Sequence, residues 1–369
     1  MNLPLSSEGY SWDGIVILGD SLSTGAASHP DLTYDSQSLW SVVNGEKVMT
    51  AERKFLSQEF KDKILEDTLV APVRLWPSRR ENDGASQWLW LHMIQALSRS
   101  ALDTEQFSYG YLFARGMGIE ASKIWIGGDN GTRSDSSVKH IDRMLVKGQG
   151  RIPTKVMLLY TGNDLCAQTW DLTTPPEIYG QELYKGLEYL ALRGRNDENE
   201  SSTILIPAFL PLSTLLHRES ILKKEINFYG AKSTCQEARK NLFSRSVESE
   251  MQASGEQNSM KWMFSKVMPP NPVALCPSVF SPTNDPNERI GQVANRVRAY
   301  RDQQEMIVKK FNDNAAAGKF PNVRISARYL NRTSEVIIEG VDVSDDCFHL
   351  SLKGHEKVAK TLMDEFTSK

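Results

Sequence analysis

"GIVILGDSLSTGAAS", residues 14–28, sets the apolar run Ile15-Val16-Ile17-Leu18 directly against Gly19-Asp20-Ser21-Leu22. A continuous apolar run, rather than an alternating one, suits a parallel strand buried on both faces. In an open sheet of such strands, ligands bind beyond the carboxyl ends. Ser21 falls at such an end. Taken alone, a serine there is a turn residue capping the next helix. A serine nucleophile needs more: a base, a group that orients the base, and donors for an oxyanion.

Further apolar runs of strand length follow: "KIWIGG" (123–128), "KVMLLYTG" (155–162), "STILIPAFL" (202–210) and the weaker "NVRISARYL" (322–330). Helical patterns separate them. Residues 84–102 place Trp88, Leu91, Ile94 and Leu97 near helical spacing. Residues 174–194 open with a Thr cap and prolines and close at Gly194. Helices are also expected over 288–318, 351–366 and near 217–245, with a weaker pattern over 50–66. Strand and helix in alternation imply a parallel sheet with helices on both faces. The Pro-rich run up to residue 287 reads as a long loop. The chain reads as a single domain over residues 1–369, with insertions at 29–83 and 217–287.

The chain has 369 residues, 40% hydrophobic and 24% charged, with a formal net charge of −3. That balance gives no electrostatic reason to expect nucleic acid. No apolar run approaches the roughly 20 residues of a membrane span. "MNLPLSSEGYSWDG" has no basic region followed by an apolar one, so no signal peptide is expected in it. Cys166, Cys235, Cys276 and Cys347 form no C-x-x-C pair, which argues against zinc. Four cysteines permit three pairings, and four buried thiols are equally compatible with the count.

The parallel topology brings three loops to one edge: Ser21 after the first strand, Gly127, Gly128 and Gly131 after the second, Asn163 and Asp164 after the third. A fourth piece, "VSDDCFHLSLKGHEK", carries Asp346 and His349 at D-x-x-H spacing before the last helix. At that spacing a carboxylate folds back to the imidazole Nδ1–H and leaves Nε2 facing a hydroxyl.

In this order, "GDSL" (19–22), the glycine-containing loop (127–131), "TGND" (161–164) and "DCFH" (346–349) resemble the SGNH hydrolases, also called the GDSL esterases and lipases. The likeness spans nearly the whole chain. It implies a flavodoxin-like three-layer α/β/α sandwich with Ser21 as nucleophile, His349 as base and Asp346 orienting His349. The oxyanion donors would be the Ser21 N–H, a glycine N–H and the Asn163 amide. "GTRSD" favours Gly131 for the glycine, and Gly128 is the alternative. Thr161 stands where the family often has glycine.

Within the superfamily, "GNDLC" and "DCFHLSLKGH" resemble the phospholipase B branch, and "GNDLC…TTPPEIY" is similar to acyloxyacyl hydrolase. Both imply a lipid ester substrate with transient contact to a lipid surface, a secreted or periplasmic setting, and Cys166 and Cys347 stiffening their loops as disulfides. Neither a metal nor an organic cofactor is implied. The rivals are a short-chain or O-acetyl esterase acting on glycans, an acyltransferase using the same residues, and a non-catalytic binding module.

Other residues read more plainly. Asp20 and Asp164 are expected to support turns, and His355 to pack or cap within the last helix. Asp345 competes with Asp346, and the i to i+3 spacing favours Asp346. Cys166 has no base placed for it. His29, His92, His140 and His217 have no evident partner and read as surface or satisfied core. Trp88 and Trp90 read as helix packing. Trp262, Met263, Phe264 and Met268 read either as an acyl groove or as a packed cluster.

Overall fold

The computed structural model describes residues 14–25, 107–129, 131–167, 169–196, 200–228, 231–239, 276–281, 283 and 285–368. The apolar runs become β1 (Ile15–Gly19), β2 (Ile124–Ile126), β3 (Lys155–Leu159), β4 (Ser202–Pro207), a separate hairpin of β5 (Glu225–Phe228) and β6 (Ala231–Thr234), and β7 (Ile325–Leu330). β2, β1, β3, β4 and β7 form one all-parallel sheet in that order. Counted within the sheet this is 2-1-3-4-5, the flavodoxin-like order. β1 is buried along its whole length, as its unbroken apolar run requires.

Two groups of helices cover the sheet. α1 (Tyr109–Gly116) packs with the last helix, α6 (Leu352–Thr367). α2 (Ser137–Lys147), α3 (Pro176–Arg193) and the 31-residue α5 (Pro286–Ala316) pack together. A short α4 (Cys235–Arg239) lies between β6 and α5 in sequence. The result is a three-layer α/β/α fold with a parallel central sheet.

Two glycines set the approach of the chain at β1. Gly19 has φ +153°, and a Cβ there would lie 2.3 Å from the Leu159 carbonyl oxygen. Gly110 in α1 would place a Cβ 2.9 Å from Ile17 Cγ2, so its bareness lets α1 lie close on β1.

Several expectations are corrected. Within the stretch expected as one helix over 217–245, the described residues to 239 are not one helix: helical turns Thr214–His217 and Glu219–Leu222 lead into the β5–β6 hairpin and then α4. The Pro-rich loop contains a helical turn at Pro277–Phe280, and α5 already begins at Pro286. Pro175 takes the cap position of α3 with no side-chain cap. The expected helices at 50–66 and 84–102, with Trp88 and Trp90, and the insertion at 29–83 lie outside the described residues. So do His29, His92, Trp262, Met263, Phe264 and Met268.

Candidate active site

Ser21 begins the turn that follows β1 and is buried. The Asp20 carboxylate shapes that turn. Its Oδ1 accepts the Leu22 N–H at 3.0 Å. Its Oδ2 accepts the N–H groups of Thr161 and Gly162, both at 3.0 Å, from the loop after β3. Burial pushes the Asp20 carboxyl up to about 6, against these hydrogen bonds, which favour the charged form. Asp20 thus joins the first and third loops, matching the supporting role expected of it.

His349 comes to Ser21 from the far end of the chain. Its Nε2 lies 3.0 Å from Ser21 Oγ, and its Nδ1 lies 2.6 Å from Asp346 Oδ2. Asp346 Oδ1 accepts the N–H groups of Phe348 and His349 at 2.9 Å and the Ser344 hydroxyl at 2.5 Å. Burial pushes the Asp346 carboxyl up, but the adjacent imidazole and these donors outweigh it and hold it at about 2. Burial lowers His349, and the Asp346 charge and hydrogen bond overcome it, leaving the imidazole above its ordinary value. Asp345 points elsewhere and pairs with Lys224 at 2.9 Å.

The second loop supplies the remaining walls. Gly128 is buried, and a Cβ on it would lie 2.0 Å from Ser23 Oγ and 2.7 Å from the Gly19 oxygen. This backbone is therefore pressed against the Ser21 turn. Gly131 lies three residues on in a left-handed conformation, φ +75°. Asn163 Nδ2 donates to the Thr132 carbonyl at 3.1 Å, and the Thr132 hydroxyl donates to the Gly19 carbonyl at 3.1 Å. Asp164 accepts the Ser134 N–H at 3.0 Å and its hydroxyl at 2.8 Å. Burial raises Asp164 to about 6.

His140, for which sequence gave no partner, is fully buried, with Nε2 3.2 Å from Asp129 and Nδ1 2.7 Å from the Tyr160 hydroxyl. It holds the residue after Gly128. His217 Nδ1 lies 2.9 Å from the Ser213 carbonyl oxygen. His355 is buried in α6, where its Nδ1 accepts the Tyr109 N–H at 3.0 Å and its ring stacks on Tyr109.

All four cysteines are bridged: Cys166 to Cys276, and Cys235 to Cys347. Cys166 follows the Asn163 loop, and Cys347 sits between Asp346 and Phe348 with φ +59°.

A largely apolar groove runs from Ser21 and His349 between Leu210, Leu212, Leu215, Ile338, Phe348 and Leu350. Sequence reading did not single out this lining. Its signal is "FLPLSTLL" (209–216), an apolar run on the same functional edge, immediately after β4.

The arrangement can draw a proton from the Ser21 hydroxyl to a base whose orientation is fixed. Among the described residues no group of His, Cys, Asp and Glu could hold a metal ion, and no helix is long and apolar enough to cross a membrane. Compared with known proteins, the chain matches no family model and no curated protein sequence.

Proposed function

We propose that this protein is a serine ester hydrolase of the SGNH type, cleaving acyl esters through an acyl-enzyme. One observation carries the reading: the unbroken chain from Ser21 Oγ through His349 to the Asp346 carboxylate, 3.0 and 2.6 Å. A turn serine has no need of an oriented imidazole.

Ser21 Oγ attacks the ester carbonyl carbon as its proton passes to His349 Nε2. The tetrahedral oxyanion collapses, the ester C–O bond breaks, and Nε2 returns the proton to the leaving alkoxide. Water then gives a proton to Nε2 and attacks the acyl-serine. Collapse of that second intermediate frees the acid, and Ser21 recovers its proton. Three donors suit the oxyanion. They are the Ser21 N–H, the second amide hydrogen of Asn163, whose first is held by Thr132, and a glycine N–H. Gly128 suits the last role better than Gly131, because its backbone touches the Ser21 turn.

The apolar lining beside Ser21 and His349 suits the acyl side of an ester, and the likeness to the phospholipase B branch carries the preference for a lipid ester over an acetyl group. Two disulfides support an oxidising, secreted or periplasmic setting. The test is intact-mass spectrometry after exposure to a fluorophosphonate. One adduct on the native chain and none on Ser21→Ala is expected. No adduct on folded native protein would overturn the reading. An ester series of rising acyl length separates lipid from acetyl substrates, and added glycerol separates transfer from hydrolysis.

A further inference from the structure

Three consecutive N–H groups run along the loop after β2, and two of them are spent on β1. Gly127 N–H donates to the Ile17 carbonyl at 2.9 Å, and Asp129 N–H donates to the Gly19 carbonyl at 3.0 Å. Gly128 lies between them, is buried, and its N–H meets no acceptor among the described residues. A buried N–H without a partner costs free energy, as a donor reserved for a reacting oxygen would.

The neighbouring carbonyl sets where that N–H points. Gly127 C=O and Gly128 N–H belong to one trans peptide group, in which the two bonds point opposite ways. Arg143, on α2, holds the carbonyl. Its Nη2 donates to the Gly127 oxygen at 3.0 Å and to Asp129 Oδ2 at 2.8 Å, and its Nη1 donates to Asp129 Oδ1 at 3.3 Å. One guanidinium thus grips the chain on both sides of Gly128. Glycine, with no Cβ, would otherwise let this peptide turn over at little cost. A flipped peptide would lose the carbonyl contact and aim its N–H, a donor, at a cation. In the observed state the N–H faces away from Arg143. The charge on the carbonyl also polarises the peptide, which makes the N–H a stronger donor.

Arg143 is itself held. Asp129 receives the guanidinium and also lies 3.2 Å from His140 Nε2, and His140 and Arg143 stand three residues apart on α2. Burial pulls the His140 pKa down, leaving a neutral ring at neutral pH. Its Nε2 faces a carboxylate and carries the hydrogen, so Nδ1 accepts the Tyr160 hydroxyl at 2.7 Å. Tyr160 directly follows β3. The brace therefore runs from the end of β3 through α2 to the Gly127 carbonyl, and it contains no member of the triad.

We propose that Arg143 is a positioning residue for the oxyanion site, fixing the Gly127–Gly128 peptide with its N–H turned to the reacting carbonyl rather than to α2. The assignment rests on the hydrolase reading above, with Gly128 as its glycine donor.

The test compares native protein, Arg143→Met and Arg143→Lys in kcat and KM for p-nitrophenyl butyrate, and in the pH limb of fluorophosphonate labelling. Arg143→Met should lower kcat by about tenfold to 10²-fold, the weight of a charge-assisted hydrogen bond that holds the peptide. KM should stay within about twofold, because a donor used in the transition state adds little to substrate binding. The pH limb should not move, because Asp346 and His349 keep their contacts. Arg143→Lys reaches the carbonyl with one donor but does not span Asp129 as well, and its kcat should fall between the other two. The Arg143 side chain is 42% exposed, so its removal leaves the core intact. A kcat within about twofold of native in Arg143→Met, or in Arg143→Lys should Arg143→Met not fold, would overturn the proposal. So would a fall in kcat shared with a raised KM or a moved limb, the mark of a general loosening. A kcat in Arg143→Lys no better than in Arg143→Met would overturn the carbonyl contact as the cause. Failure of the hydrolase reading looks different: native protein would neither label at Ser21 nor turn over the ester.

Discussion

Replacing Asp346 by Asn tests the reading of the site most directly, because the structure dictates which way the amide must face. Asp346 Oδ1 receives two backbone N–H groups at 2.9 Å and the Ser344 hydroxyl at 2.5 Å. With donors converging there, the amide oxygen of Asn must take that place. The amide NH2 then falls where Oδ2 stood, 2.6 Å from His349 Nδ1. An NH2 group donates, so Nδ1 must accept, and the imidazole proton moves to Nε2. Nε2 then presents a hydrogen to Ser21 Oγ and cannot take one. In serine triads of this design a wrong tautomer costs about 10⁴ in kcat, or about 5.4 kcal/mol of barrier. The pH dependence changes too. His349 must be neutral to act, so native reactivity rises with pH through a pKa above the ordinary 6.5. Without the Asp346 charge, burial governs and that limb moves down. The assay is the rate of fluorophosphonate adduct formation from about pH 5 to 9, with circular dichroism to establish folding. Labelling of Asp346→Asn within about tenfold of native, or a limb that does not move down, would refute the reasoning.

Three other outcomes are expected. Gly128→Ala should fold but label at Ser21 about 10²-fold more slowly, because its Cβ would lie 2.0 Å from Ser23 Oγ and must push the nucleophile turn away; native labelling would rule this out. Cys235→Ser with Cys347→Ser should lower stability by about 2–5 kcal/mol and slow labelling by about tenfold, since Cys347 holds a left-handed backbone between Asp346 and the base; unchanged labelling would show that the loop stands unaided. His355→Asn should flatten the acid limb of stability. Burial and the charge of His349 depress His355 to about 3, so below about pH 6.5 the unfolded chain takes a proton the fold refuses. Urea titrations at pH 7 and 4.5 should show native protein losing about 2 kcal/mol more than the variant, and equal losses would contradict the assignment.

What was legible in the sequence was local or periodic. The unbroken apolar run of β1 announces a strand buried on both faces, and D-x-x-H announces a carboxylate folded back on an imidazole three residues later. The less legible parts depend on distant closure. Asp345 is excluded as the partner of His349 by Lys224, which no spacing rule brings near. α1 is an eight-residue helix carrying Gly110 and Gly116, weak by propensity and fixed by its fit on Ile17. The β5–β6 hairpin interrupts a stretch whose composition suits a helix. The cysteine pairing, the groove from 209–216, and the contact of Gly128 with the Ser21 turn all require the folded chain.

Three buried carboxylates meet at this edge of the sheet, and they behave differently for a reason visible in their partners. Asp20, Asp164 and Asp346 are 1%, 1% and 3% exposed, and each accepts backbone N–H groups. Burial raises all three. The first two finish at about 6, and Asp346 finishes at about 2. Backbone hydrogen bonds are common to the set, so they do not by themselves make the difference. Of the three, Asp346 is the one that faces an imidazole, and the charge and hydrogen bond of His349, with the Ser344 hydroxyl, lower it. Asp20 and Asp164 instead cross-brace the loops: Asp20 ties the Ser21 turn to the Asn163 loop, and Asp164 ties the Asn163 loop to Ser134. Ser21, the glycine loop and Asn163 follow three separate strands, and the carboxylates reinforce the hydrogen bonds of Thr132 that also join them. Their mutual position, on which an oxyanion site depends to within a fraction of an ångström, is held by carboxylates that take no part in the proton transfer.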